Sequence, residues 1–138
     1  MALCLACIVA ALCLGYISWA KPLTFVLPRR GVIGVLVRFR EREVKLTDPA
    51  SIARFRAAVL AGRYDLPYAT RCVEGGAFSV TFLRQHGAPF EVHIGLDDCD
   101  TLYCPALGRT YTDRGDVREL AEEALGAKLE DLLRGDRR

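Results

Sequence analysis

The sequence lacks the features that identify several common classes of enzyme. It has no Walker A phosphate-binding loop, no glycine-rich dinucleotide fingerprint and no internal repeat. It contains two histidines, His86 and His93, which limits the imidazoles available to bind zinc or to act as a general base. Serine-hydrolase elements are also missing. The sequence therefore predicts no cofactor and favours a non-catalytic protein, and thiol or metal chemistry is the one enzymatic alternative left open.

Charge is missing from the N-terminus. Residues 2–20 contain no charged side chain, and this stretch is about long enough to cross a bilayer as a helix. One interpretation is a secretory signal peptide cleaved after Ala20, where Ser18 and Ala20 are small enough for signal peptidase. The other is a single-pass membrane anchor. In that case the segment has small residues that would allow close packing against a partner helix. These are Cys4, Cys7, Ala10, Ala11 and Gly15.

Basic residues are absent before this segment and present after it. Lys21, Arg29 and Arg30 follow the apolar run, whereas signal peptides and anchors usually have a basic region in front. By the positive-inside rule this order favours a cytoplasmic domain. Residues 21–71 hold 11 basic and 4 acidic side chains, and residues 72–138 hold 8 and 13. The half nearer the apolar segment is therefore basic, which suits either anionic lipid or an ordinary solvated surface.

A β-hairpin over residues 76–95 is the central structural prediction. Apolar and polar residues alternate on both sides of the turn at Gln85 to Pro89, as expected for two strands that each bury one face. The apolar positions are Phe78, Val80, Phe82, Phe90, Val92 and Ile94. His93 falls on the opposite, polar face together with Glu91. The hairpin anchors the predicted fold.

Three cysteines lie close to the hairpin. Cys72 and Cys99 flank its open end, so a disulfide between them is geometrically plausible, and Cys104 competes for either partner. Such a bridge forms only in an oxidising compartment. The alternative is three reduced thiols. His93, Cys99 and Cys104 also form the candidate set for a zinc site or a thiol enzyme, although their spacing matches no strong pattern.

The rest of the chain predicts further elements. Asp48 and Pro49 are typical of a helix start and Gly62 of its end, so we expect a helix over residues 49–61. Alternation also predicts strands near residues 33–46 and 109–112. Asp116 with Glu119 is a capping-box variant that begins the C-terminal helices.

Three arginines near the end of the first strand are candidates for binding nucleic acid. Arg38, Arg40 and Arg42 would share one face if the first strand continued through them. No aromatic residues interleave with the row, and Glu41 and Glu43 interrupt it. Nucleic-acid binding is therefore not favoured.

Together these features predict an α+β protein. Residues 1–20 form the signal peptide or anchor, 21–30 an irregular linker, 31–134 a single domain and 135–138 a frayed tail. The domain is expected to be an antiparallel sheet of three to four strands with helices on one face. We expect an exported or membrane-tethered envelope protein that acts as a binding or structural module, with its domain on the extracytoplasmic side. The alternatives are the small enzyme built on His93, Cys99 and Cys104, and an accessory subunit of a membrane complex.

Overall fold

The alternating stretches of the sequence form one antiparallel sheet. The computed structural model describes residues 2–20, 23–64, 77–96 and 100–135. Its strands are β1 (Val32–Phe39), β2 (Arg42–Leu46), β3 (Phe78–Arg84), β4 (Phe90–Ile94), β5 (Thr101–Cys104) and β6 (Arg109–Thr112). They pair in the order β2-β1-β3-β4-β5-β6, so the predicted hairpin, β3 and β4, lies at the centre. The α+β class is confirmed, but the sheet has six strands rather than three or four.

The helices are α1 (Ala2–Ala20), α2 (Leu23–Val26), α3 (Pro49–Ala61), α4 (Val117–Leu125) and α5 (Leu129–Gly135). The predicted bounds of α3 are confirmed, because Asp48 caps it: its carboxylate accepts a hydrogen bond from the Ser51 amide at 2.7 Å. This hydrogen bond lowers the pKa of Asp48. Helix α2 lies in the segment expected to be an irregular linker, and Leu23 and Leu27 are buried in the core.

One face of the sheet supplies most of the hydrophobic core. Val37 pairs with Val80, which pairs with Val92, so three strands bring apolar side chains into one row on that face. Helices α3 and α4 pack over β1 at this face and contact each other. Phe55, Val59 and other apolar helix residues complete the cluster. Each fully buried side chain of this size stabilises the fold by roughly 1.5–3 kcal/mol.

The start of α4 corrects the predicted cap. Asp116 is in the left-handed region at φ 58° and makes no side-chain cap hydrogen bond. Asp113 takes this role instead. Its Oδ1 accepts from the amides of Gly115 and Val117 and its Oδ2 from that of Arg118, each at 3.1 Å.

A glycine allows this segment to pass close to α3. A Cβ on Gly115 would lie 2.1 Å from the carbonyl oxygen of Ala58, so no larger residue fits without a shift of the backbone. The close approach holds the lead into α4 against the C-terminal half of α3. It therefore helps to fix both helices over the sheet.

Strand direction defines two ends of the sheet. At the proximal end β1, β4 and β6 begin and β2, β3 and β5 finish, and the described connections there are residues 27–31, 47–48, 85–89 and 105–108. The distal end carries residues 40–41, 95–96, 100 and 113–116. Helix α2 leads directly into the proximal connection 27–31. Helix α2 begins at Leu23, whose side chain lies next to Gly62 at the C-terminal end of α3. Ala20 is three Cα–Cα steps from Leu23, so the last residue of α1 lies within about 11 Å of it.

Candidate functional site

The side of the sheet opposite the core carries a row of polar residues, which we call the polar face. The pairing register aligns them across five strands. They are Arg38, Ser79, His93, Tyr103 and Thr110. Ser79 and Thr110 are buried, whereas His93 and Tyr103 are half-buried. Neighbouring strands thus align polar groups side by side, of which Arg38, His93 and Tyr103 are accessible enough to bind a partner.

His93 is held by two neighbours on the polar face. Its Nε2 lies 3.4 Å from Oε1 of Glu91, two residues earlier on β4. Its ring centroid lies 5.9 Å from that of Tyr103, the residue directly opposite on β5. This confirms the predicted side for His93 and Glu91. The carboxylate orients the imidazole. Ser79 lies directly opposite His93 on β3, but no hydrogen bond between the two side chains is among the described contacts.

Cys104 lies on the other face. It follows Tyr103, which shares a face with His93, and successive strand residues point to opposite sides. Cys104 is fully buried in the core, and its thiol is free. Burial raises the pKa of that thiol, which keeps it protonated and unreactive at neutral pH. The sheet therefore separates the two described members of the candidate set His93, Cys99 and Cys104.

Cys72 and Cys99 lie outside the described residues, so their disulfide stays a prediction. Among the described cysteines no disulfide is formed.

The part of the chain that the structure describes contains no assembled metal-binding site. Within it, no three residues among His, Cys, Asp and Glu come together as ligands. Because Cys99 is outside that part, the three-residue set remains a prediction. Its formation would require His93 and Cys104 to reach around the sheet.

The predicted row of arginines does not form. Arg40 is in a turn at φ 52°, and the chain reverses there, so Arg42 belongs to the next strand and pairs with Phe39. Arg38 instead donates to Glu43 Oε2 through Nε at 3.2 Å and Nη2 at 3.0 Å. The turn removes the phosphate-binding row on which a nucleic-acid interface would depend.

Helix α1 presents apolar side chains to its surroundings. Every side chain described in it, from residue 4 to residue 16, is exposed, and Leu12 keeps 68% of its surface accessible. Leu5, Ile8, Val9, Leu14 and Tyr16 are likewise more than half exposed. In the described ranges, no helix is both long enough and apolar enough to cross a membrane. A helix with apolar side chains around its whole circumference is nonetheless typical of a helix buried in a membrane or against another protein.

Arginines gather at the proximal end. Arg29 and Arg84 line one cleft with Val26, and Arg29, Arg30 and Arg56 line a second. The sequence indicated only Arg29 and Arg30, because both follow the apolar segment. Arg56 on α3 and Arg84 on β3 reach the same place through the fold, and no local pattern links them to it.

Comparison with known proteins gives no family assignment. No protein-family model, no curated protein and no solved structure matches this chain. Function is therefore argued from the described geometry alone.

Proposed function

We propose that this protein is a membrane-tethered envelope protein in which α1 holds a non-catalytic binding or structural domain at a lipid surface. The observation that carries the proposal is the exposure of the apolar side chains of α1. Leu5, Leu12 and Leu14 are each more than 60% accessible. Contiguous apolar surface of this kind marks a site of burial against lipid or another protein.

Lipid suits α1 better than the protein's own core. The described side chains of α1 are exposed in the folded chain, so the domain does not bury them. The helix has no charged residue and no polar stripe that would remain in water. It is separated from buried Leu23 by two residues, so a helix embedded in a membrane would keep the domain close to the membrane surface.

The polar face supports binding rather than catalysis. His93 is oriented by Glu91 and packs against Tyr103, whereas the free thiol of Cys104 is buried on the other side of the sheet. Nucleophilic catalysis needs the thiol and its base within hydrogen-bond reach. The accessible guanidinium, imidazole and phenol groups of Arg38, His93 and Tyr103 instead favour recognition of a polar partner.

The predicted disulfide supports one side of the membrane for the domain. We place the domain on the extracytoplasmic side, where Cys72 and Cys99 can be oxidised to a disulfide. The basic residues after α1 oppose this placement, so the thiol state of these two cysteines decides it. In the accessory-subunit alternative, α1 packs against partner helices through its exposed small residues. That alternative predicts a partner chain that co-purifies in mild detergent.

Vesicle flotation tests the tether. Leu12→Asp replaces a favourable residue with a carboxylate, and insertion scales put the change at about 3–4 kcal/mol near the centre of a helix. Full-length parent protein should float with phosphatidylcholine vesicles, whereas Leu12→Asp should partition on the order of 100-fold less. The fold itself should be unaffected, because Leu12 is exposed.

The matched control is Ala61→Asp, which adds the same carboxylate at an exposed position of α3. It should float like the parent protein. Equal flotation of the Leu12→Asp variant, or a mature chain that begins at Lys21, would remove α1 as the tether.

A further inference from the structure

We propose that the proximal end of the domain docks directly on an anionic bilayer, with its arginines on the lipid phosphates and two apolar side chains in the interface. This inference rests on the proposed tether, because α1 holds the domain at the membrane and ends seven residues before the proximal connection 27–31. It goes beyond tethering in assigning the orientation of the domain and the lipid class that it prefers.

The first observation is the charge of the two proximal clefts. Arg29 and Arg84 line one, and Arg29, Arg30 and Arg56 line the other; neither cleft has a carboxylate in its lining. The nearest acid along the chain is Asp48, which is engaged in capping α3 at the Ser51 amide. Four guanidinium groups are thus collected at one end of the sheet, and guanidinium is the side chain best suited to phosphate.

Arg56 adds a second observation. Its Nε is buried and has no hydrogen-bond partner among the described residues. A buried donor without a partner costs free energy, and an anion in the adjacent cleft would relieve that cost. Arg56 lies in this cleft with Arg30, Gly31 and Thr47, so a headgroup phosphate there would meet donors from α3 and from the connection before β1.

Exposed apolar residues identify the partner as a bilayer. Outside α1, the large hydrophobic side chains exposed in the described part of the chain are Val26 and Ile33, at 37% and 49%. Val26 lines the first arginine cleft and Ile33 the second. Apolar side chains beside arginines are typical of protein surfaces that sit in the lipid interface.

The distal end is not comparably basic, because acidic and basic residues nearly balance in its described connections. These are Glu41, Asp100, Asp113 and Asp116 against Arg40, Arg63 and Arg114. The net positive charge is therefore concentrated at the proximal end. That asymmetry orients the domain with β1 rising away from an anionic membrane surface.

Limited trypsin digestion of the vesicle-bound full-length protein tests the docking. Arg29 and Arg30 are exposed, lie outside helices and strands, and are native trypsin sites. When cleavage follows the undocked population, its rate reports the docking equilibrium. Each arginine at an anionic surface contributes enough for four of them to slow cleavage on the order of 1,000-fold. The comparison is between vesicles of equal parts phosphatidylcholine and phosphatidylglycerol and vesicles of phosphatidylcholine alone.

The double variant Arg56→Gln/Arg84→Gln keeps both cleavage sites and removes two of the cations. On the anionic vesicles, trypsin should cleave this variant roughly 30-fold faster than the parent protein. The matched control Arg40→Gln/Arg42→Gln loses the same charge at the distal end and should stay protected. High salt should abolish the protection, since it screens surface charge.

The outcomes separate the two proposals. Flotation with both kinds of vesicle but equal cleavage on each would overturn docking and leave the tether intact. Failure to float even with phosphatidylcholine would overturn the tether, and docking with it. Protection by soluble glycerol phosphate without vesicles would overturn the bilayer as the ligand, because it would show a site for a free phosphate.

Discussion

Tyr111 offers a sharp test of the core, because its hydroxyl is buried and makes no hydrogen bond of good geometry. The side chain is 1% exposed, its ring lies 5.8 Å from that of Tyr64, and its Oη has no hydrogen-bond partner of standard geometry among the described residues. The Arg109 guanidinium is a polar group that acts on this hydroxyl, and it lowers the pKa of Tyr111 less than burial raises it. An unpaired buried hydroxyl costs about 1–3 kcal/mol relative to an apolar group. Tyr111→Phe keeps the ring and removes this cost. We expect it to raise the free energy of unfolding by about 1 kcal/mol or more at pH 7.

The burial of Tyr111 also predicts how the difference in the free energy of unfolding between variant and parent protein changes with pH. Burial raises the pKa of Tyr111 to about 12 from 10.0. Below pH 10 the residue is neutral in both the folded and the unfolded chain. Between pH 10 and 12 the unfolded chain releases its proton while the folded chain retains it, so the parent protein loses stability. A pKa difference of about two units lowers the free energy of unfolding of the parent protein by at most about 2.7 kcal/mol. The Tyr111→Phe variant has no phenol at this position, so it does not show this loss.

Urea unfolding followed by circular dichroism measures both effects. The parent protein and the Tyr111→Phe variant are compared at pH 7 and at steps between pH 10 and 12. Tyr103→Phe, on the half-buried polar face, serves as the control for the loss of one phenol. The reasoning fails if Tyr111→Phe is less stable than the parent protein at pH 7. It also fails if the difference does not widen above pH 10.

Two further predictions concern the cap of α4 and the state of the thiols. Asp113→Ala removes the acceptor of three backbone amides, so it should lower the free energy of unfolding by about 1–3 kcal/mol. The control Asp116→Gly removes no cap hydrogen bond, and glycine suits the positive φ, so urea unfolding should show little change in stability. If both variants lose the same free energy of unfolding, Asp113 is not the cap. Native alkylation followed by intact mass should leave Cys104 unmodified until the chain unfolds, because it is buried. If Cys72 and Cys99 are oxidised, two more thiols appear only after reduction; their alkylation without reduction would place the domain on the reducing side.

The elements with strong local signals were predictable from the sequence. The bounds of α3 follow from Asp48 and Pro49, whose capping chemistry lies within one helical turn. The hairpin follows from long runs of alternation. Strands β5 and β6 have only four residues each, so their membership of the sheet depends on long-range pairing that alternation does not reveal.

The candidate site was harder to predict because it depends on register. The pairing of His93 with Tyr103 decides that Cys104 points into the core, and that pairing is set across a loop. The cap of α4 shows a related difficulty. The spacing of Asp116 and Glu119 fits a capping box, but Asp113 reaches the same amides from before the helix.

The proximal arginines show what only the fold supplies. Arg29 and Arg30 adjoin the apolar segment in sequence, but Arg56 and Arg84 come from a helix and a strand far along the chain. Helix α2 was also missed, because the prolines on either side of it suggested irregular structure. Its burial of Leu23 and Leu27 ties the domain closely to α1.

The most direct test of the tether uses the single tryptophan of the chain, Trp19, which belongs to α1. Its fluorescence is measured in the full-length protein with vesicles of ordinary phosphatidylcholine and of phosphatidylcholine with brominated acyl chains. If α1 lies in the membrane, the emission shifts to the blue with either lipid and is quenched by the bromine atoms. Emission that neither shifts nor is quenched would contradict the tether, and with it the proposed role at a membrane.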